Sequence, residues 1–177
     1  MYNPFINSKL KKLYQNDKHR GEFLNLNEVK TILVLFDTVD YEEADLLVEQ
    51  LLKAGKQVRV YAYKDKKDEY DYSETPYKII NSKEATDWFD NKIDEIVEKI
   101  SSFRYDLLLD LTIKRNPVLE ILALSAKARM KVGYKKGEQS PYDLSITNLN
   151  VDKSDNNLQV RELGKQIIHY LSTINKA

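Results

Sequence analysis

Two aspartates close the most apolar runs in this chain. Asp37 follows Thr31-Ile32-Leu33-Val34-Leu35-Phe36, and Asp110 follows Tyr105-Asp106-Leu107-Leu108-Leu109. A pair of carboxylates at the ends of buried strands has two chemical uses. It can hold a divalent cation, or one member can take a proton as a general base. Thr38 and Thr112 stand close by and would add hydroxyl ligands. Asp40, Lys114, Arg115 and Asn116 complete the polar set at these two strand ends, with Lys114 or Arg115 suited to holding an anionic substrate. The competing reading is structural, since Asp and Thr at strand ends commonly cap the next helix or close a turn. The acidic run Asp37, Asp40, Glu42, Glu43, Asp45 and Glu49 falls at a helix start, where negative charge interacts favourably with the helix dipole. No metal is therefore expected there.

Other chemistries are excluded by what the chain lacks. It has no cysteine, which removes disulfides, thiolate metal sites and cysteine nucleophiles. Its five glycines stand apart at 21, 55, 133, 137 and 164, so there is no G-x-G-x-x-G fingerprint and no Walker loop. No cofactor is expected on that ground. The two histidines, His19 and His169, fall in terminal helical segments away from the two strand ends. The 28 basic and 28 acidic side chains cancel, which argues against bulk electrostatic binding of nucleic acid. A local exception is the N-terminal stretch, where Lys9, Lys11, Lys12, Lys18 and Arg20 face only Asp17. The series Lys127, Arg129, Lys131, Lys135 and Lys136 reads as charges guarding an edge strand, with a phosphate or acidic-partner site as the alternative. Tyr61, Tyr63, Tyr70, Tyr72 and Tyr77 surround a charged stretch over 64–77 that reads as an exposed loop. Tyrosines there can grip a sugar or a protein, or they reflect compositional bias alone.

The elements that must position these residues follow from periodicity. The run 31–36 is continuously apolar, as in a strand buried on both faces. Ala44, Leu47, Val48, Leu51 and Leu52 recur at helical spacing, with an Asp40–Glu43 capping pattern before them and Gly55 as a left-handed stop. Val58, Val60 and Ala62 alternate with polar residues as a second strand, and Ile79-Ile80 marks a short edge strand. Trp88, Phe89, Ile93, Ile96, Val97, Ile100 and Phe103 predict the next helix, and 105–112 the next strand. Asn116-Pro117 starts a helix that is apolar nearly all round. Met130, Val132 and Tyr134 predict another strand, Asp143 to Ile146 a last short one, and Ser154 or Asp155 caps a final helix. Strands alternating with helices predict an α/β fold: an open, mainly parallel, Rossmann-like sheet in three α/β/α layers. Residues 1–24 read as an N-terminal helical extension, with Ile6, Leu10, Leu13 and Tyr14 as its apolar face, and 25–177 as a single α/β domain.

The segment from Asn25 to Gly133 resembles a family of Bacteroidetes proteins of unknown function. The likeness lies in Asn25-Leu26-Asn27-Glu28-Val29-Lys30-Thr31-Ile32-Leu33-Val34-Leu35-Phe36-Asp37, in the run from Tyr105 to Thr112, and in Ala126-Lys127-Ala128-Arg129-Met130-Lys131-Val132-Gly133. That resemblance implies a bacterial origin and carries no activity. Tyr105 to Gly133 also looks like the strand–helix–strand unit in the acceptor half of heptosyltransferase-type glycosyltransferases. There an Asp-ended strand leads to an apolar helix and an Arg-x-Gly-like strand. This second likeness implies the fold. Those enzymes work in a cleft between two α/β domains, so glycosyl transfer is not expected of this chain unless a partner supplies the other half.

In open parallel sheets ligands bind outside the carboxyl ends of the strands, at the switch in strand order. The expectation is a cytoplasmic domain that binds a small ligand or a protein partner at that edge without catalysis. The candidate rim is Asp37, Thr38, Asp40, Asp110, Thr112, Lys114, Arg115 and Asn116. One alternative is a small enzyme using Asp37 and Asp110 on an anionic substrate. Another is an RNA- or ribosome-associated factor acting through the basic N-terminal arm. No targeting signal and no run near the ~20 apolar residues of a membrane helix is visible, hence the cytoplasmic expectation.

Overall fold

The computed structural model describes residues 4–83, 92–152 and 154–174. Trp88 and Phe89 of the predicted helical stripe lie outside these residues. Among these residues the six strands are β1 (Thr31–Asp37), β2 (Gln57–Lys64), β3 (Lys78–Asn81), β4 (Arg104–Asp110), β5 (Lys127–Tyr134) and β6 (Leu144–Ile146). They form one sheet in the order β3-β2-β1-β4-β5-β6. Every neighbouring pair is parallel. The predicted open parallel α/β sheet is thus observed, with the chain wound outward in both directions from β1.

Among the described residues five α helices flank it: α1 (Pro4–Asn16), α2 (Tyr41–Lys53), α3 (Lys92–Ser101), α4 (Pro117–Ser125) and α5 (Asn156–Thr173). Side chains alternate across β1, so each strand feeds two cores. Ile32, Val34 and Phe36 face α2 and α5, packing with Leu47, Leu51, Leu163 and Ile167. Leu33 and Leu35 face α3 and α4, packing with Ile96, Ile100, Leu119 and Leu122. Helix α4 is buried on all sides because α1 covers its outer face, where Ile6 and Leu10 meet Ile121 and Leu124. Lys9 pairs with Asp94 of α3, and Tyr14 donates to Glu120 of α4.

Local signals explain the helix ends. Gly55 has φ 77°, and its N–H reaches Leu52 O while Lys56 N reaches Leu51 O, closing α2 in a left-handed turn. Asn116 caps α4 by accepting from Val118 N and Leu119 N, with Pro117 in the first turn. Asp155 caps α5 through Leu158 N. The Asp40–Glu43 capping pattern does not form. Asp40 makes no cap bond and accepts instead from Asn156 on α5, while Glu43 is claimed by Arg161.

Strand β5 departs from the edge-guarding expectation. It lies between β4 and β6, and Lys131 is 1% exposed. Its ammonium donates to Leu124 O at the end of α4, where the helix dipole is negative. Burial pulls its pKa down, against the charges of Asp17 and Asp143.

Candidate functional site

Strand order reverses between β1 and β4, so Asp37 and Asp110 end neighbouring strands. Leu35 is the register partner of Asp110, and Leu111 N donates to Leu35 O. Both carboxyls emerge on the α4 side of the sheet. Their surroundings differ sharply.

Asp110 is 0% exposed and fully engaged. Oδ1 accepts from Thr112 N at 2.9 Å and Thr112 Oγ1 at 2.5 Å. Oδ2 accepts from Lys136 Nζ at 2.8 Å and from the Tyr142 hydroxyl. A carboxylate has about four lone-pair sites, and all are used. Lys136 completes its own set by donating to Thr112 Oγ1 and to Tyr142 Oη at 2.9 Å. The Tyr142 ring reaches this position because Gly133, the register partner of Asp110, has no side chain. A Cβ there would lie 2.7 Å from the ring. Burial, with the Asp110 charge beside it, pushes the Tyr142 hydroxyl well above its usual pKa. The network ties the 135–143 segment to the end of β4.

Asp37 has one protein partner among the described residues, Asn116 Nδ2 at 2.5 Å to Oδ1. Asn116 therefore bridges: its oxygen caps α4 while its amide holds Asp37. Burial raises the Asp37 pKa to about 7. The neighbouring Asp110 and Asp40 charges add to this, while the Asn116 bond and Lys136 oppose it.

The rest of the predicted rim divides. Thr38 and Asp40 turn to the opposite, α2–α5 side. Asp40 is buried at the start of α5, and burial raises its pKa to about 6 despite the Asn156 bond and the Lys114 charge. Thr38 donates to Asp68 at 2.5 Å and its carbonyl accepts from Tyr72 at 3.3 Å. Arg115 turns away to Glu120, at 2.9 Å. The structure thus brings Asp37, Asp110, Thr112 and Asn116 together, places Thr38 and Asp40 on the other face, and separates Arg115 from both. Among the described residues no group of three or more His, Asp or Glu side chains is arranged to hold a metal ion.

On the α2–α5 side the 65–77 segment does not project freely. Asp65, Asp68 and Asp71 each accept from the backbone N–H two residues ahead, giving successive turns. Tyr41 and Tyr77 stand edge-on to Phe36 at 6.0 and 6.1 Å, and Tyr72 packs on Tyr41 at 5.3 Å and on Tyr70 at 4.8 Å. Tyr41 and Thr75 share a hydroxyl bond of 2.8 Å, and Tyr77 donates to Asp45. These contacts leave a cavity of about 760 Å³ between the segment and the start of α2. Thr38, Val39, Tyr41, Glu42, Tyr70 and Tyr72 line its near side. Tyr61 and Tyr63 are instead buried in the α3–α4 core.

Sequence reasoning missed Lys136 and Tyr142 as partners of Asp110, and Asn156 as the partner of Asp40. Lys136 carried a faint signal, standing in a basic run after a predicted strand. Tyr142 carried none, because its role depends on the chain returning past Gly133.

A family model spans residues 3–174 of the chain. The chain belongs to DUF6913, a family of unknown function. No curated protein matches the sequence. Among solved structures, this DUF6913 chain is similar to a glycosyl transferase of family 9 from Veillonella parvula, with a TM-score of 0.55 and 18% identity. The match covers 83% of the DUF6913 chain and 42% of the glycosyltransferase, so it spans less than half the length of that protein. At that identity the likeness concerns the fold. Among the described residues of the DUF6913 chain, no helix is long and apolar enough to cross a membrane.

Proposed function

We propose that this protein is a binding domain whose small-molecule site is the tyrosine-walled cavity at the carboxyl edge of β1. One observation carries this reading. The two most exposed large hydrophobic side chains among the described residues, Val39 at 74% and Tyr70 at 68%, both line that cavity. Apolar surface left in water beside a concave, polar-lipped space is the usual signature of a ligand site. The volume lies within the roughly 300–1,000 Å³ of small-molecule pockets. Asp110, by contrast, has no lone pair left for a ligand, which supports a structural task for that residue. No glycosyl transfer is proposed.

The test is a screen of a small-metabolite library by ligand-observed NMR, on the full chain and on Tyr70→Ala. Tyr70→Ala removes exposed surface and leaves the core intact. Binders that Tyr70→Ala loses support the reading. A library with no binders, or binders indifferent to Tyr70, overturns it. A protein partner covering the same wall would appear as a shielded Tyr70 in the complex without small-molecule hits.

A second reading is acid–base chemistry by Asp37. It is favoured by the pKa of about 7 together with an Oδ2 that has no protein partner among the described residues. Spectra of a bound compound followed over hours decide it. A new species that forms with the unaltered chain and not with Asp37→Asn supports this reading, and an unchanged compound removes it.

A further inference from the structure

We infer that the cavity takes an organic cation, an ammonium group carried on an apolar body. This rests on the reading of the cavity as the ligand site and adds its charge class. The lining contains three acidic side chains, Glu42, Asp71 and Glu74, and no basic one. Glu42 and Glu74 belong to the lining and make no ion pair or hydrogen bond with any described residue. Asp71 has one oxygen tied to Ser73 N, and the bonds from Ser73 hold its pKa below the usual carboxylate range. An anion would meet three carboxylates here, and the Lys64 ammonium near Asp71 is already engaged with Tyr70 O and the Tyr72 ring. The amide end of α2, which would otherwise attract it, already has Glu42 and Glu43 in its first turn.

The wall points the same way. Tyr41, Tyr70 and Tyr72 bring three ring systems to the lining, and aromatic faces carry negative charge density that attracts ammonium groups. The protein already uses this wall so: the Lys64 ammonium stands 5.4 Å from the Tyr72 ring centroid and donates to Tyr70 O. A bare metal ion is a poorer occupant, because about 760 Å³ is far larger than one ion and no cluster of three ligating side chains exists among the described residues. An amine with an alkyl body answers all of these features. Its charge meets the carboxylates, its methylenes cover Val39 and Tyr70, and its N–H groups meet hydroxyls such as that of Thr75.

The experiment uses defined probes on the full chain at low salt: butylammonium, tetramethylammonium and spermidine as cations, sorbitol as a neutral polyol, and inorganic phosphate as an anion. Calorimetry and ligand-observed NMR measure binding, and circular dichroism confirms that each variant is folded. At least one ammonium probe is expected to bind, and phosphate and sorbitol are not. Glu42→Gln, Glu74→Gln and Tyr70→Leu each weaken the cation roughly fivefold, and added salt weakens it further. Ammonium binding that all three variants leave unchanged overturns the inference, as does the absence of ammonium binding. Neutral or anionic compounds that bind in a Tyr70-dependent way, with no cation binding, remove the charge class and leave the cavity reading standing. If the metabolite screen also returns nothing, both fall together.

Discussion

Replacing Asp37 by Asn should stabilise the protein at alkaline pH, an unusual result for the loss of a charge at a strand end. The folded chain raises the Asp37 pKa from 3.8 to about 7, chiefly because burial strips water from the carboxylate. A carboxyl that binds its proton more tightly in the folded state contributes stability at low pH. That contribution is complete below about pH 4 and is lost as pH rises through about 7. A shift of about three units corresponds to a ceiling of ~4 kcal/mol at ~1.4 kcal/mol per unit. Water reaching the uncommitted oxygen reduces this to ~2 kcal/mol at pH 8. Asn at 37 carries no charge and its own Oδ1 still accepts from the Asn116 amide. The variant should therefore gain ~2 kcal/mol at pH 8, or roughly 4–8 °C in Tm for a chain of this size. At pH 5 the unfolded carboxyl is already ionised while the folded one is neutral, so roughly a third of the difference remains, and the two stabilities should converge only below about pH 4. Asp40, raised to about 6, leaves the variant a residual decline that ends near pH 6. Carboxyls held below their usual range, among them Glu43 by Arg161, Asp106 by hydrogen bonds that outweigh its burial, and Asp68, Asp71 and Asp152, act at lower pH and do not enter this window. Urea unfolding at pH 5, 6, 7 and 8 decides the matter. A variant less stable than the parent at pH 8, or one with the same pH profile, would refute the account of this carboxyl.

The remaining expectations concern the network around Asp110 and the outer layer. Gly133→Ala drives a methyl into the Tyr142 ring and should cost ~2–3 kcal/mol, whereas Gly137→Ala, with nothing within 4 Å, should change stability little; equal effects in urea titrations would contradict the packing described. Lys136→Met leaves a 0% exposed carboxylate without its counter-charge and should cost ~3 kcal/mol, against ~2 kcal/mol for Tyr142→Phe, which removes the hydrogen bonds to Asp110 and from Lys136. Lys131→Met replaces a buried ammonium with an apolar chain of similar length and should be neutral or stabilising by ~1 kcal/mol at pH 7; a large loss would show that the Leu124 carbonyl depends on it. Leu10→Ala should cost ~2–3 kcal/mol because α1 seals α4, while reversing Lys11 and Lys12 should leave unfolding unchanged. That charge-reversed chain, rather than a deletion of residues 1–20 that would bare Ile121 and Leu124, is the proper probe of RNA retention, measured by filter binding at two salt concentrations.

Much of the fold could be read without coordinates because its signals are local. The uninterrupted apolar runs ending at Asp37 and Asp110, the stop at Gly55 and the cap at Asn116-Pro117 each act within a few residues. Together they imply strands and helices in alternation, and hence a parallel sheet with a switch in strand order. That the two aspartates end adjacent strands followed from this rule. What the aspartates do there did not follow. Asp110 is saturated by Lys136 and Tyr142, which reach it only because β6 brings the chain back past a glycine in β5. Asp37 keeps a free oxygen among the described residues because the same return leaves it with Asn116 alone. Thr38 and Asp40 sit one to three residues from Asp37 yet serve the other face, since a turn after a strand carries successive side chains to opposite sides of the sheet. The tyrosine wall belongs to the same class. Phe36, Tyr41, Tyr70, Tyr72 and Tyr77 are spread along the chain, and their meeting depends on how the 65–77 segment folds back over α2. Local sequence specifies which backbone each stretch prefers. Which buried polar groups find partners, and which are left to meet a ligand, is decided when distant segments converge.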